Sequence, residues 1–129
     1  MSYFQDLTEY TYNSRIKGIK NIGWLSKPYE YNKGEVDPKI LDKLKLMKSN
    51  IKTKGIHQCE FCHKAGSSSE IWICSKEGQI YSTPRMISHY IEVHGYQPPQ
   101  EFLDAVKFGY TYDEPEFKNA MESLKFDLK

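Results

Sequence analysis

Cysteine is scarce in this sequence: three residues in 129. The opening stretch MSYFQDLTEYTYNSR carries Asp6 and Glu9 and has no apolar h-region, unlike a secretory leader. So few thiols, with no export signal, argue against a disulfide framework. Long apolar runs are missing as well. None approaches the roughly 18 residues that cross a bilayer. Charge of one sign is missing too. Eighteen Lys and Arg offset seventeen Asp and Glu, leaving +1, so nothing in the total demands nucleic acid or an anionic membrane. These absences lead to the expectation of a cytoplasmic protein without a membrane partner. Catalytic signatures are absent by inspection: no H-E-x-x-H, no H-x-E…P-C-x-x-C, no P-loop, no dinucleotide fingerprint and no G-x-S-x-G. The reading is therefore not an enzyme.

What is present is aromatic. Ten Tyr, six Phe and two Trp supply large apolar area with polar handles. The length suits one α+β domain over 1–129, long enough for a modest core without disulfides. Residues 1–36 read as an extended, aromatic segment, with EYTYN (9–13) and NIGWL (21–25) as short strands and a turn at Asn32-Lys33-Gly34. Asp37-Pro38 is a cap followed by Pro at the first helical position. Ile40, Leu41, Leu44, Met47 and Ile51 then recur at helical spacing, which predicts a helix over 38–52 ended by Gly55. Its other face carries Lys39, Lys43, Lys45, Lys48 and Lys52. EIWICSKEGQIYST (70–83) reads as a hairpin, with Gly78 supplying the left-handed residue of a three-residue loop. Thr83-Pro84 predicts a helix over 84–94 with Gly95 ending it. Helices at 98–108 and from Asp113 onward follow, the last with a stripe of Phe117, Ala120, Met121, Leu124 and Leu128.

Two of the three cysteines stand in CEFC (59–62), and two of the four histidines in HYIEVH (89–94). Zinc takes four Cys and His ligands, typically as C-x2–4-C and H-x3–5-H pairs. Cys59, Cys62, His89 and His94 fit both spacings. Pairing confines the ligands locally, so one long loop remains to be closed. At about 100° per residue, Arg85, Ser88 and Glu92 share a solvent face, while Val93 and Tyr90 lie on the buried side with His94, and His89 falls at its edge. The two imidazoles stand about 140° apart on a straight helix, so convergence needs a distorted last turn, which Gly95 permits. His57 and His63 flank the cysteines, and either is an alternative to His89. Cys74, beside Trp72 by alternation, reads as a buried core thiol.

A CxxC turn, a hairpin and a helix with two histidines together resemble the Cys2His2 zinc-finger family over residues 59–94. The interval between the pairs is residues 63–88, 26 residues, where that family has about 12. The wider stretch HQCEFC…IYSTPRMISHYIEVHGYQPPQEFLDAV is similar to a family of small uncharacterised bacterial proteins. That resemblance implies a shared metal-bearing core, spanning 56–95 here. The expected cofactor is one structural Zn²⁺ per chain, because four protein ligands leave no open position for water. The expected partner is another protein. Nucleic-acid binding through the Lys-rich helix 38–52 is the alternative, and a bacterial immunity or accessory role is the third reading.

Overall fold

The computed structural model describes residues 5–9, 18–26, 29–47, 51–64, 66–111 and 113–126, with the backbone alone for 51–57, 67, 68 and 123–126. In chain order the elements are β1 (Ile19–Asn21), α1 (Pro38–Leu46), β2 (Ile51–Gln58), β3 (Gly66–Cys74), β4 (Ile80–Pro84), α2 (Ile87–His94), α3 (Gln100–Phe108), β5 (Tyr110–Thr111) and α4 (Pro115–Phe126). The strands form one mixed sheet in the order β1-β4-β3-β2. β1 runs parallel to β4, and the other pairs are antiparallel. β5 pairs with Ile73 and Cys74 at the far end of β3. The architecture is α+β.

Alternation along EIWIC explains the layering. Ile71 and Ile73 face one side of the sheet with Tyr81, against Leu44 of α1, Ile87 and Tyr90 of α2, and Phe102 and Val106 of α3. Trp72 and Cys74 face the other side with Ile19 and Ile80, against Phe117, Ala120 and Met121 of α4. A strand covered on both faces is apolar at nearly every position, as Ile71 to Cys74 are. Cys74 is 1% exposed, as expected of a core thiol, and burial followed by the nearby Glu77 charge raises its pKa. The α4 stripe packs as predicted through Met121; the Leu124 side chain and Leu128 lie outside the described residues.

The hairpin loop also matches its sequence. Ser75 N–H donates to Gln79 O at 2.8 Å and Gly78 N–H to Ser75 O at 3.0 Å, with Gly78 at φ +92°. Three residues thus lie between the closing pair, and the left-handed one is Gly.

Three boundaries differ from expectation. α1 stops at Leu46, and Ile51 begins β2 rather than ending a helix. Met47 is already extended, with ψ 138°. Pairing of Ile51 with Glu70 and Lys52 with Ser69 overrides the helical period. Gly55 lies inside β2, where the register with β3 shifts between Lys52 and His57, a position that suits Gly in a strand. Thr83-Pro84 closes β4 instead of opening a helix. Arg85 N–H donates to Ser69 O, so the preceding pair, Pro84 and Glu70, falls on the non-bonded step of the antiparallel alternation. Pro84 therefore has its missing N–H on the side where β1 has already ended. Finally, β1 begins at Ile19, two residues ahead of NIGWL; Ile22, Trp24 and Leu25 are buried just after it. Glu9 bridges Lys20, and the rest of EYTYN lies outside the described residues.

Asp6 ties the early chain to this frame. Its carboxylate accepts Gly23 N–H at 2.9 Å and Tyr96 O–H at 2.7 Å. Burial raises its pKa despite those two donors. A raised folded-state value means that folding disfavours the ionised form, a penalty relieved as pH falls through that value. Asp6→Ala removes the acceptor of both bonds and is expected to lower stability by about 1–3 kcal/mol. Asp6→Asn, which removes the charge and keeps one acceptor oxygen, is expected to lose less. Urea melts of both variants at neutral pH check the order.

Candidate metal centre

The first half of the centre is the β2–β3 connection. His63 N–H donates to Cys59 O at 2.9 Å, closing a turn over Glu60, Phe61 and Cys62. His63 is left-handed at φ 58°, and Gln58 Nε2 donates to its carbonyl. This winding brings the two sulfurs within 3.8 Å. The cysteines thus sit on a connection one strand earlier than the hairpin 70–83, and β3, its loop and β4 make up the long interval to the histidines.

The second half is α2. Its N-cap is Met86, without a side-chain cap bond, and Gly95 is left-handed at φ 68° and ψ 18°. Gly95 N–H donates to Tyr90 O, and so does Tyr96 N–H. The first bond spans five residues rather than four, so the last turn is wider than an α-turn. Such a turn places residues five apart roughly one above the other. His89 and His94 are five apart, and their ring centroids lie 5.0 Å from each other. The distortion expected at Gly95 is what lets both imidazoles reach one point.

The four side chains converge. One ligand atom from each of Cys59, Cys62, His89 and His94 lies within 4.8 Å of all the others. Cys59 Sγ is 3.3 Å from His94 Nε2, and Cys62 Sγ is 3.4 Å from His89 Nε2. With bonds of about 2.3 Å to sulfur and about 2.0–2.1 Å to nitrogen, a tetrahedral zinc ion sets sulfur–sulfur edges near about 3.8 Å and sulfur–nitrogen edges near about 3.5 Å. The donor set fits, and so do the three edges at 3.3, 3.4 and 3.8 Å. His63 is exposed and stands outside the cluster. The backbone of His57 pairs with Ser67, and its side chain lies outside the described residues.

The two sulfurs sit in different surroundings. Cys59 is 0% exposed, whereas Cys62, His89 and His94 are partly exposed. Burial raises the Cys59 pKa, opposed by the backbone amides of Cys62 and Phe61, which donate to its sulfur. Burial, then the neighbouring His89, lowers the His94 pKa and favours the neutral imidazole that binds a metal.

Neighbours that spacing alone did not single out hold the centre in place. Phe61 packs its ring against Tyr31, Tyr90 and His94, with centroids at 5.5, 6.1 and 5.1 Å. Tyr31 O–H donates to His94 O at 2.9 Å. Ser26 O–H donates to the Glu60 carboxylate. Gly34 N–H and Gln97 N–H bond across the Lys33–Tyr96 bridge, so the segment around Asn32-Lys33-Gly34 lies along the end of α2. The only sequence signal for these contacts was aromatic density before Val36.

Arg85 and Val93 correct the helical projection. Arg85 leaves the expected solvent face and spans the C-terminus of α1. Its guanidinium donates to Met47 O at 2.6 Å, Lys45 O at 3.2 Å and Leu44 O at 3.4 Å. Val93, expected on the buried side, is 56% exposed. α1 packs beside α2 here, and Lys45 also pairs with Glu92. Arg85→Ala removes three charge-assisted bonds to helix-end carbonyls and is expected to lower stability by about 1–3 kcal/mol. Arg85→Lys recovers little of it, since a point charge cannot span the carbonyls. Chemical denaturation of the two variants measures both effects.

No helix among the described residues is long and apolar enough to cross a membrane. No curated protein and no solved structure matches the chain. The model of one family, described as Domain of unknown function (DUF7919), matches residues 2–107, a span that contains all four clustered side chains. The chain belongs to the DUF7919 family.

Proposed function

We propose that this is a zinc protein whose Cys59, Cys62, His89 and His94 form a closed structural site, and that its role is to bind another protein. The carrying observation is the convergence of two sulfurs and two imidazole nitrogens within 4.8 Å, with one sulfur–sulfur and two sulfur–nitrogen edges near tetrahedral values. Two thiolates and two neutral imidazoles cancel the charge of Zn²⁺, which suits a centre whose first ligand is fully buried. Zinc would tie the β2–β3 turn to the end of α2, as a zinc finger ties hairpin to helix. Four protein ligands leave no position for a reacting water, which supports a binding role over a catalytic one.

A protein partner is favoured over nucleic acid by the state of α1. Lys45 is paired with Glu92, and Asp42 stands exposed between Lys39 and Lys43. Lys48 and the Lys52 side chain lie outside the described residues.

The test is elemental mass spectrometry on tag-free protein, before and after chelation, with circular dichroism alongside. One zinc per chain, and loss of folded structure on its removal, is the expected result. Metal-free protein that keeps its full melting transition would overturn the zinc reading. Steeply salt-dependent binding to DNA or RNA would overturn the protein-partner reading.

A further inference from the structure

The two zinc-facing sulfurs are not equivalent, and we propose that Cys62 is a modification site: the thiolate that hydroperoxides and soft electrophiles attack first, with closure onto Cys59 releasing the metal. The proposal deepens the zinc reading and rests on it. Cys59 has no exposed surface, and its sulfur accepts the Phe61 and Cys62 amides. Both features withhold it, because an attacking reagent needs access and donated hydrogen bonds draw electron density from sulfur. Cys62 is partly exposed, and its sulfur stands 3.4 Å from Nε2 of the partly exposed His89. The third thiol, Cys74, is buried in the other core, beneath α4, and donates to Ser75 O.

The chemistry needs only the two sulfurs of the turn, which start 3.8 Å apart. The Cys62 thiolate attacks one peroxide oxygen. An S–O bond forms, the O–O bond breaks, and the thiolate's charge leaves as hydroxide, or as alkoxide that then takes a proton from water. Cys62 is then a sulfenic acid. The Cys59 sulfur, 3.8 Å away, attacks the Cys62 sulfur. The S–S bond forms, the S–O bond breaks, and a second hydroxide leaves. Two sulfurs together lose two electrons, and the peroxide gains them. Cys59 and Cys62 are three residues apart in a closed turn, where Cα separations under about 7 Å overlap the disulfide range. With both sulfurs consumed, His89 and His94 alone do not retain zinc, and α2 loses its tie to the β2–β3 turn.

The experiment uses the full chain as purified, its zinc content measured first. Limiting N-ethylmaleimide is added, and the adducts are located by peptide mass spectrometry. In parallel, hydrogen peroxide is titrated while free thiols and released zinc are counted. The expected result is an adduct at Cys62 ahead of Cys59 and Cys74, and one zinc released for two thiols lost, with a Cys59–Cys62 disulfide peptide. Cys74→Ser is expected to give the same result, so the third thiol takes no part. Labelling of Cys59 first, equal labelling of both, or zinc release without that disulfide overturns the proposal while leaving the zinc reading standing. A chain that carries no zinc at the outset overturns the zinc reading itself, and the proposal with it.

Discussion

Cys59→Ser and His94→Ala are each expected to abolish zinc retention and to leave the chain largely unfolded. Metal bound only by the folded state contributes its binding free energy to folding, about 10–16 kcal/mol for structural zinc sites. Whole domains are stable by only about 5–15 kcal/mol. Losing one ligand of four removes a share of the first quantity that the second cannot absorb. The two positions sit on opposite halves of the centre. Cys59 anchors the turn that its carbonyl closes onto His63, and His94 ends α2 at the widened turn. His63→Ala is the control, since His63 is exposed outside the cluster, and is expected to keep both metal and fold. Zinc stoichiometry and far-ultraviolet circular dichroism on the three variants give the answer. A Cys59→Ser protein with one tightly held zinc and an unchanged melt would sink the assignment.

Gly109→Ala is expected to destabilise the protein by about 2–4 kcal/mol through backbone crowding alone. Gly109 follows α3 and precedes β5, and its N–H donates to Ala105 O at 2.8 Å. A methyl group there would lie 2.1 Å from Cys74 O and 2.5 Å from Ala105 O. Neither obstacle is a side chain that can swing away. Either α3 lifts its last turn or β5 leaves β3, and Tyr110 pairs directly with Cys74. Gly78→Ala makes the contrast. It meets nothing within 4 Å and strains only a left-handed backbone at φ +92°, worth about 1–2 kcal/mol. Thermal melts that rank Gly78→Ala below Gly109→Ala would show that the described close approach is not present in solution.

Much of the four-residue cluster was legible in the chain because each half of it is a local spacing problem. CEFC confines two sulfurs to one turn, and HYIEVH confines two imidazoles to one helix. Gly95 marked where that helix had to deform. Gly78 likewise reported the hairpin, and alternation with Trp72 marked Cys74 as a core thiol. These features depend on residues within about a dozen positions of one another, so side-chain chemistry and backbone preference decide them directly.

The tertiary structure decided whatever depended on a distant strand or helix. Ile51 carried a helical spacing and a β-branched side chain, and pairing with Glu70 chose the strand. Pro84 looked like a helix start until the end of β1 left its bare nitrogen facing no ladder partner. Arg85 left its expected solvent face because α1 ends beside it, and Val93 is exposed where burial was expected. The contrast between Cys59 and Cys62, two identical residues in one four-residue motif, also belongs to the fold. Cys59 is fully buried and its sulfur accepts two backbone amides, whereas Cys62 is only partly buried. The spacing of the cysteines and histidines determined which side chains share a centre. Packing determined which of them meet solvent, because exposure depends on what the rest of the chain places against each atom.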